Sequence, residues 1–193
     1  MDGRKAVAAG FLALATTACA PWGPFVVAGG LSGFATEVSE SAPEANLEAP
    51  RLGKIFRDGR YEFGPAPATV QRQAERRFRR DPAARQAFRK LAVKMVVDAP
   101  GGTPIVTFAI VWKKAAAAHP AAWEEFLAGY TTDNDVELTR GTMRGANVAF
   151  GDQRDARVVL VDHSDRVTLM VVGPPNSSMA PLKDVARYLL RSS

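Results

Sequence analysis

Apolar and polar positions recur with two different periods along this chain, and the change from one to the other marks out its elements. From Thr69 to Arg80, Val70, Ala74 and Phe78 return every four residues, which places them on one face of a helix. Asp81 can cap a following helix and Pro82 suits its first turn. The helical spacing continues through Ala84, Phe88, Leu91, Ala92 and Met95, predicting a second helix that overlaps the β-rich run Ala92–Asp98. That run and Ile105–Lys113 flank a Pro-Gly-Gly break, as two strands of a hairpin do. IVTFAIVWK is apolar at odd and even positions alike, the pattern of a central strand covered on both faces.

The second half repeats the plan. His119-Pro120 opens a helix with Trp123, Phe126, Leu127 and Tyr130 at i, i+3, i+4 and i+7, and Gly129 is expected near its end. VELTRG and ANVAFG supply one or two strands, broken by Gly141 and Gly145. Arg157–Asp162 and Val167–Gly173 form a hairpin around HSDR, and Leu182, Val185, Ala186 and Leu189 give a closing helix its apolar face. The order predicts the α+β class: an antiparallel sheet of about five strands with helices packed on it.

The first fifty residues follow neither period. Arg4 and Lys5 precede AVAAGFLALA, a run of about ten apolar residues, then Thr-Thr-Ala and Cys19, the order of a secretory signal. Such a run reaches only about 15 Å as a helix, half of a bilayer core of about 30 Å. Extending it to Ala28 gives enough length to span, but Pro21 and Pro24 interrupt the helix. Leu14-Ala15-Thr16-Thr17-Ala18-Cys19 resembles the lipobox of bacterial lipoproteins, with Thr16 where that motif usually has Leu, Val or Ile. The resemblance implies that Cys19 is acylated (a palmitate-type anchor) and that the protein sits on the extracytoplasmic face of the cell membrane. An uncleaved membrane anchor, and an apolar segment packed on the domain, are the other two readings. Thr36–Pro50 is acidic, Pro-bearing and poor in apolar residues, so it reads as a disordered linker. The chain thus divides into a signal segment at 1–19, an apolar segment and linker at 20–50, and an α+β domain at 51–193.

Charge changes this picture in one place. The net charge is +5, but the stretch Ala66–Lys94 alone holds nine basic residues against Glu75 and Asp81. That makes it +7 and leaves the remainder at −2. A local positive face attracts a polyanion. For an exported protein the candidates are anionic lipid or a cell-wall polymer, met by Arg76, Arg77, Arg79, Arg80 and Arg85 as a wide collar on a helix pair. A cytoplasmic nucleic-acid binder would use the same arginines, but Phe78 and Phe88 sit in the apolar stripe instead of forming stacking platforms.

Candidate chemistry is sparse. One cysteine excludes an internal disulfide, and His119 and His163 make no zinc set. Asp162-His163-Ser164-Asp165 has the residue types of a hydrolytic triad, but neighbours in sequence cannot form the relay, and a polar turn explains them. Asp133–Glu137 begins like a calcium loop yet has Leu138 where glycine is needed and Arg144 where the closing glutamate belongs. No phosphate loop, dinucleotide fingerprint or nucleophile elbow is present. Trp112 and Trp123 read as core, and Trp22 as a membrane-interface residue. The sequence therefore points to a binding protein with no cofactor and no metal, acting at the envelope through an unidentified protein or polymer partner. An envelope enzyme with distant catalytic groups remains the competing class.

Overall fold

The computed structural model describes residues 52–57, 59–80, 87–97, 99, 102–118, 120–164 and 166–191. The expectations for residues 1–51, including Cys19, Trp22 and the linker, lie outside them, as do Arg85 and His119.

The elements are α1 (Leu52–Ile55), β1 (Phe63–Pro65), α2 (Ala68–Arg80), β2 (Phe88–Val96), β3 (Ile105–Trp112) and α3 (Lys114–Ala117), followed by α4 (Ala122–Asn134), β4 (Thr139–Met143), β5 (Ala146–Gln153), β6 (Ala156–Ser164), β7 (Val167–Gly173) and α5 (Met179–Leu189). All strands join one antiparallel sheet of seven, in the order β1-β2-β3-β7-β6-β5-β4. The class is α+β as the periodicity predicts, with more strands than the five expected. The chain lays down β1 to β3, crosses by α3 and α4 to the far edge, and meanders back until β7 pairs with β3.

Both faces of the sheet are covered, and the two central strands are buried at every position, with Thr107 and Thr168 the polar residues among apolar ones. In β3, Val106, Phe108, Ile110 and Trp112 pack with Val70, Ala74, Phe126, Leu127 and Tyr130 beneath α2 and α4. Ile105, Ala109 and Val111 face the other way, toward Ile55, Phe63 and the α5 stripe Leu182, Val185, Ala186 and Leu189. Ser178 caps α5, its hydroxyl accepting from the Ala180 N–H at 3.3 Å. Each fully buried Leu or Phe in these layers contributes about 1.5–3 kcal/mol.

From Phe88 onward, strand takes the place of the second basic helix. Phe88–Val96 pairs with β3 along its whole length, from Phe88 opposite Trp112 to Val96 opposite Ile105. A strand apolar on both faces needs hydrogen-bonding partners on both sides, and that demand overrides the helical spacing of Phe88, Leu91, Ala92 and Met95. A bulge between Phe88 and Lys90 turns both Arg89 and Lys90 to solvent. From Phe88 onward the second half of the collar is therefore a basic strand beside α2, and Arg85 lies outside the described residues. A smaller correction concerns α4, which runs through Gly129 to Asn134 and ends at Asp135, whose left-handed conformation (φ 48°) forms the cap.

Candidate functional site

One end of the sheet is open and lined by unlike residues. There β3 ends, β6 ends, β7 begins and β5 begins, and a cavity of about 580 Å³ lies between those strand ends, the start of α4 and the end of α5. Its apolar lining is Trp112, Trp123, Ala122, Pro120, Ala146 and Leu190. Its polar lining is Arg144, Asn147, Asp162, His163, Ser164 and Thr168.

The aromatic wall is rigid. Trp112 meets Phe88 edge-on with ring centroids 4.7 Å apart and Phe126 at 5.7 Å, while Trp123 stacks on Phe126 at 5.9 Å. The Trp112 indole N–H donates to the Thr168 hydroxyl at 2.9 Å, and both groups are buried. A buried bond of this kind fixes the ring, since breaking it would strand a desolvated donor. Arg166 adds a second hold on the strand end, its guanidinium reaching the Trp112 carbonyl at 3.5 Å and its own carbonyl accepting from the Trp112 N–H at 2.8 Å.

The polar side is built by two irregularities of the sheet. In β6, Asp162 pairs with Thr168 and Ser164 with Val167, so His163 is an extra residue, a bulge. In a regular strand consecutive side chains leave on opposite faces; the bulge lets Asp162, His163 and Ser164 all line one cavity. Asn147 on β5 donates to the Asp162 carboxylate at 3.5 Å. The His163 imidazole is held below its ordinary pKa by burial, and its hydrogen bond to the Leu189 backbone acts partly against that. The second irregularity is the β4–β5 turn, where Arg144 (φ 53°) and Gly145 (φ 83°) are both left-handed between the paired residues Met143 and Ala146. This is a type I′ hairpin turn, with an arginine where Asn, Asp or Gly is preferred.

Several of these residues stand out in the sequence, but in other roles. Asp162, His163 and Ser164 are strand residues on a cavity wall, not a turn. Trp112, buried, and Trp123, half-buried, both belong to core and cavity. Arg144, Asn147 and Thr168 carried no signal beyond the Arg-Gly turn. Of the basic residues, Arg76 is exposed on α2, with Arg77, Arg79 and Arg80 on the same helix. Among the described residues, no group of three or more His, Cys, Asp or Glu could hold a metal ion, and no helix is long and apolar enough to cross a membrane. Comparison with protein-family models, with curated proteins and with solved structures gives no match to this chain.

Proposed function

We propose that this chain is a membrane-tethered, extracytoplasmic domain that binds a ligand or partner at the cell envelope, with no catalytic activity evident in its residues. The observation that supports the binding role is the cavity at the sheet end, where a fixed aromatic wall faces a few convergent polar groups. Small-molecule sites commonly take that form and that size. Catalysis fits the same residues poorly. Asp162, His163 and Ser164 are consecutive on one strand, whereas nucleophile, base and orienting group come from separate positions that converge.

The tether rests on the sequence. The lipobox-like run puts an acyl group on Cys19, and residues 20–50 carry the domain away from the surface. One acyl chain alone holds a protein weakly and reversibly, so a second attraction is needed. Arg76, Arg77, Arg79, Arg80 and Arg85 supply it toward anionic lipid or a cell-wall polymer.

The mass of the mature N-terminus tests the tether, together with detergent-phase partitioning of wild type and Cys19→Ala. Wild type is expected to begin at an acylated Cys19 and to enter the detergent phase, and the variant to stay aqueous. An unacylated wild-type chain that partitions like the variant overturns the tether.

A further inference from the structure

The fold joins Arg89 and Lys90, from the basic run of residues 66–94, to basic residues from other parts of the chain. Phe88 pairs with Trp112 and Val111 with Val167, so the start of β2, the end of β3, the start of β7 and the turn into β5 share one end of the sheet. Arg89, Lys90, Lys113, Lys114, Arg144 and Arg166 stand at that end, from four separate parts of the chain, and all but half-buried Arg166 are exposed. Among the described residues the acids at the same end are Asp162 in the cavity and Glu124 and Glu125 in the first turn of α4, of which Glu124 already holds Arg140, while Asp165, between β6 and β7 in the sequence, lies outside them. At the opposite end charges are matched more evenly, as where Arg157 pairs with Asp152 at 2.8 Å beside the β5–β6 turn. The positive bias belongs to the end where the cavity opens.

Arg144 is the basic residue that lines the cavity itself, and it does so from a strained backbone. Strain of this kind at a site mouth points to a use for the side chain. A guanidinium offers two parallel N–H donors that match phosphate oxygens. The same cavity offers apolar surface at Trp112, Trp123, Ala146 and Leu190, beside the polar Asn147, His163, Ser164 and Thr168.

We infer that the cavity binds an anionic amphiphile, with a phosphate head at Arg144 and an apolar chain against Trp123 and Leu190. This rests on the cavity being the ligand site proposed above and adds the chemical class of the ligand. Asp162 opposes an anion, so the head sits on the Arg144 side of the mouth and neutralising Asp162 tightens binding.

Calorimetric titration of the full chain, with tryptophan emission as a second readout, tests this with three probes below their micelle concentrations. Dodecyl phosphate carries head and chain, dodecyl maltoside a neutral head on the same chain, and inorganic phosphate the head alone. Dodecyl phosphate is expected to bind at least about tenfold more tightly than either of the others, the loss expected when a charge-assisted contact goes unmade. Arg144→Asn, which keeps the turn, is expected to weaken dodecyl phosphate by about tenfold and leave dodecyl maltoside unchanged. Asp162→Asn is expected to tighten dodecyl phosphate. Equal binding of the two dodecyl probes overturns the anionic class while leaving the cavity as a ligand site. Inorganic phosphate binding as tightly as dodecyl phosphate overturns the amphiphile, because the site then reads a free anion. An unaltered Arg144→Asn overturns the placement of the head. No binding of any probe overturns this inference and the ligand-site reading together.

Discussion

Arg144 occupies a conformation that its side chain does not favour. At φ 53° the Cβ crowds the following carbonyl, a cost of about 1–2 kcal/mol for an ordinary L-residue. Asn is tolerated there because its short amide bonds locally, and Asn-Gly is the preferred pair for a two-residue hairpin turn. Arg144→Asn is therefore expected to stabilise the protein by about 1 kcal/mol, raising the melting temperature by about 2–4 °C for a chain of this size. Thermal denaturation followed by circular dichroism reads the shift. An unchanged or lowered midpoint would mean that the guanidinium already recovers the strain through contacts of its own. A stabilised variant that has lost its ligand would be the familiar signature of a site residue kept for function at some expense of stability.

At the level of elements, β5 shows how closely the layers approach. A Cβ on Gly151 would lie 2.4 Å from the Glu137 carbonyl oxygen and 3.2 Å from the Leu138 and Val136 side chains. The segment that brings α4 to the sheet edge passes directly over this strand, and its backbone cannot step aside as a flexible side chain could. Gly151→Ala is expected to destabilise the fold by about 1–3 kcal/mol, the range for overpacking, measured as a lower urea midpoint with an unchanged slope. The sequence pattern made β3, β6, β7 and α5 readable because each carries one unambiguous signal, a run of β-branched and apolar residues or a clean i, i+3, i+4, i+7 stripe. It read Ala92–Val96 as one strand of a hairpin with β3 but gave Phe88 and Leu91 to a helix, because FRKLAVKMV satisfies both periods, and only the need of β3 for a partner decides between them. β1 escaped notice at three residues ending in Pro65. The cavity left less trace still. Its walls come from the ends of β3, β5 and β6 and the start of α4, and neither the β6 bulge nor the Arg-Gly turn belongs to the usual sequence signals for a site. Asp162, His163, Trp112 and Trp123 each stood out singly, but no spacing between them could say that they meet.

For the whole molecule the deciding quantity is where the positive charge faces. α2 carries Arg76, Arg77, Arg79 and Arg80 and is followed, after residues 81–86, by β2, whose first residues bring Arg89 and Lys90 to the cavity end. We propose that a charge distribution this uneven orients the protein toward an anionic plane before any specific contact forms. Each Lys or Arg close to such a plane contributes about 1 kcal/mol, and the contribution fades as the Debye length falls from about 10 Å at 0.1 M salt to about 3 Å at 1 M. Flotation of the full chain bearing Cys19→Ala with phosphatidylglycerol vesicles isolates this attraction from any acyl anchor. Binding is expected at low salt, to be lost by 1 M salt, and to be absent from phosphatidylcholine vesicles. Replacing Arg76, Arg77, Arg79 and Arg80 together by alanine is expected to weaken it more than replacing Arg154 and Arg157, which lie at the opposite end. If salt and both sets of substitutions leave flotation unchanged, the arginines of α2 face solvent without a polyanionic partner, and an anchor at Cys19 would have to hold the protein alone.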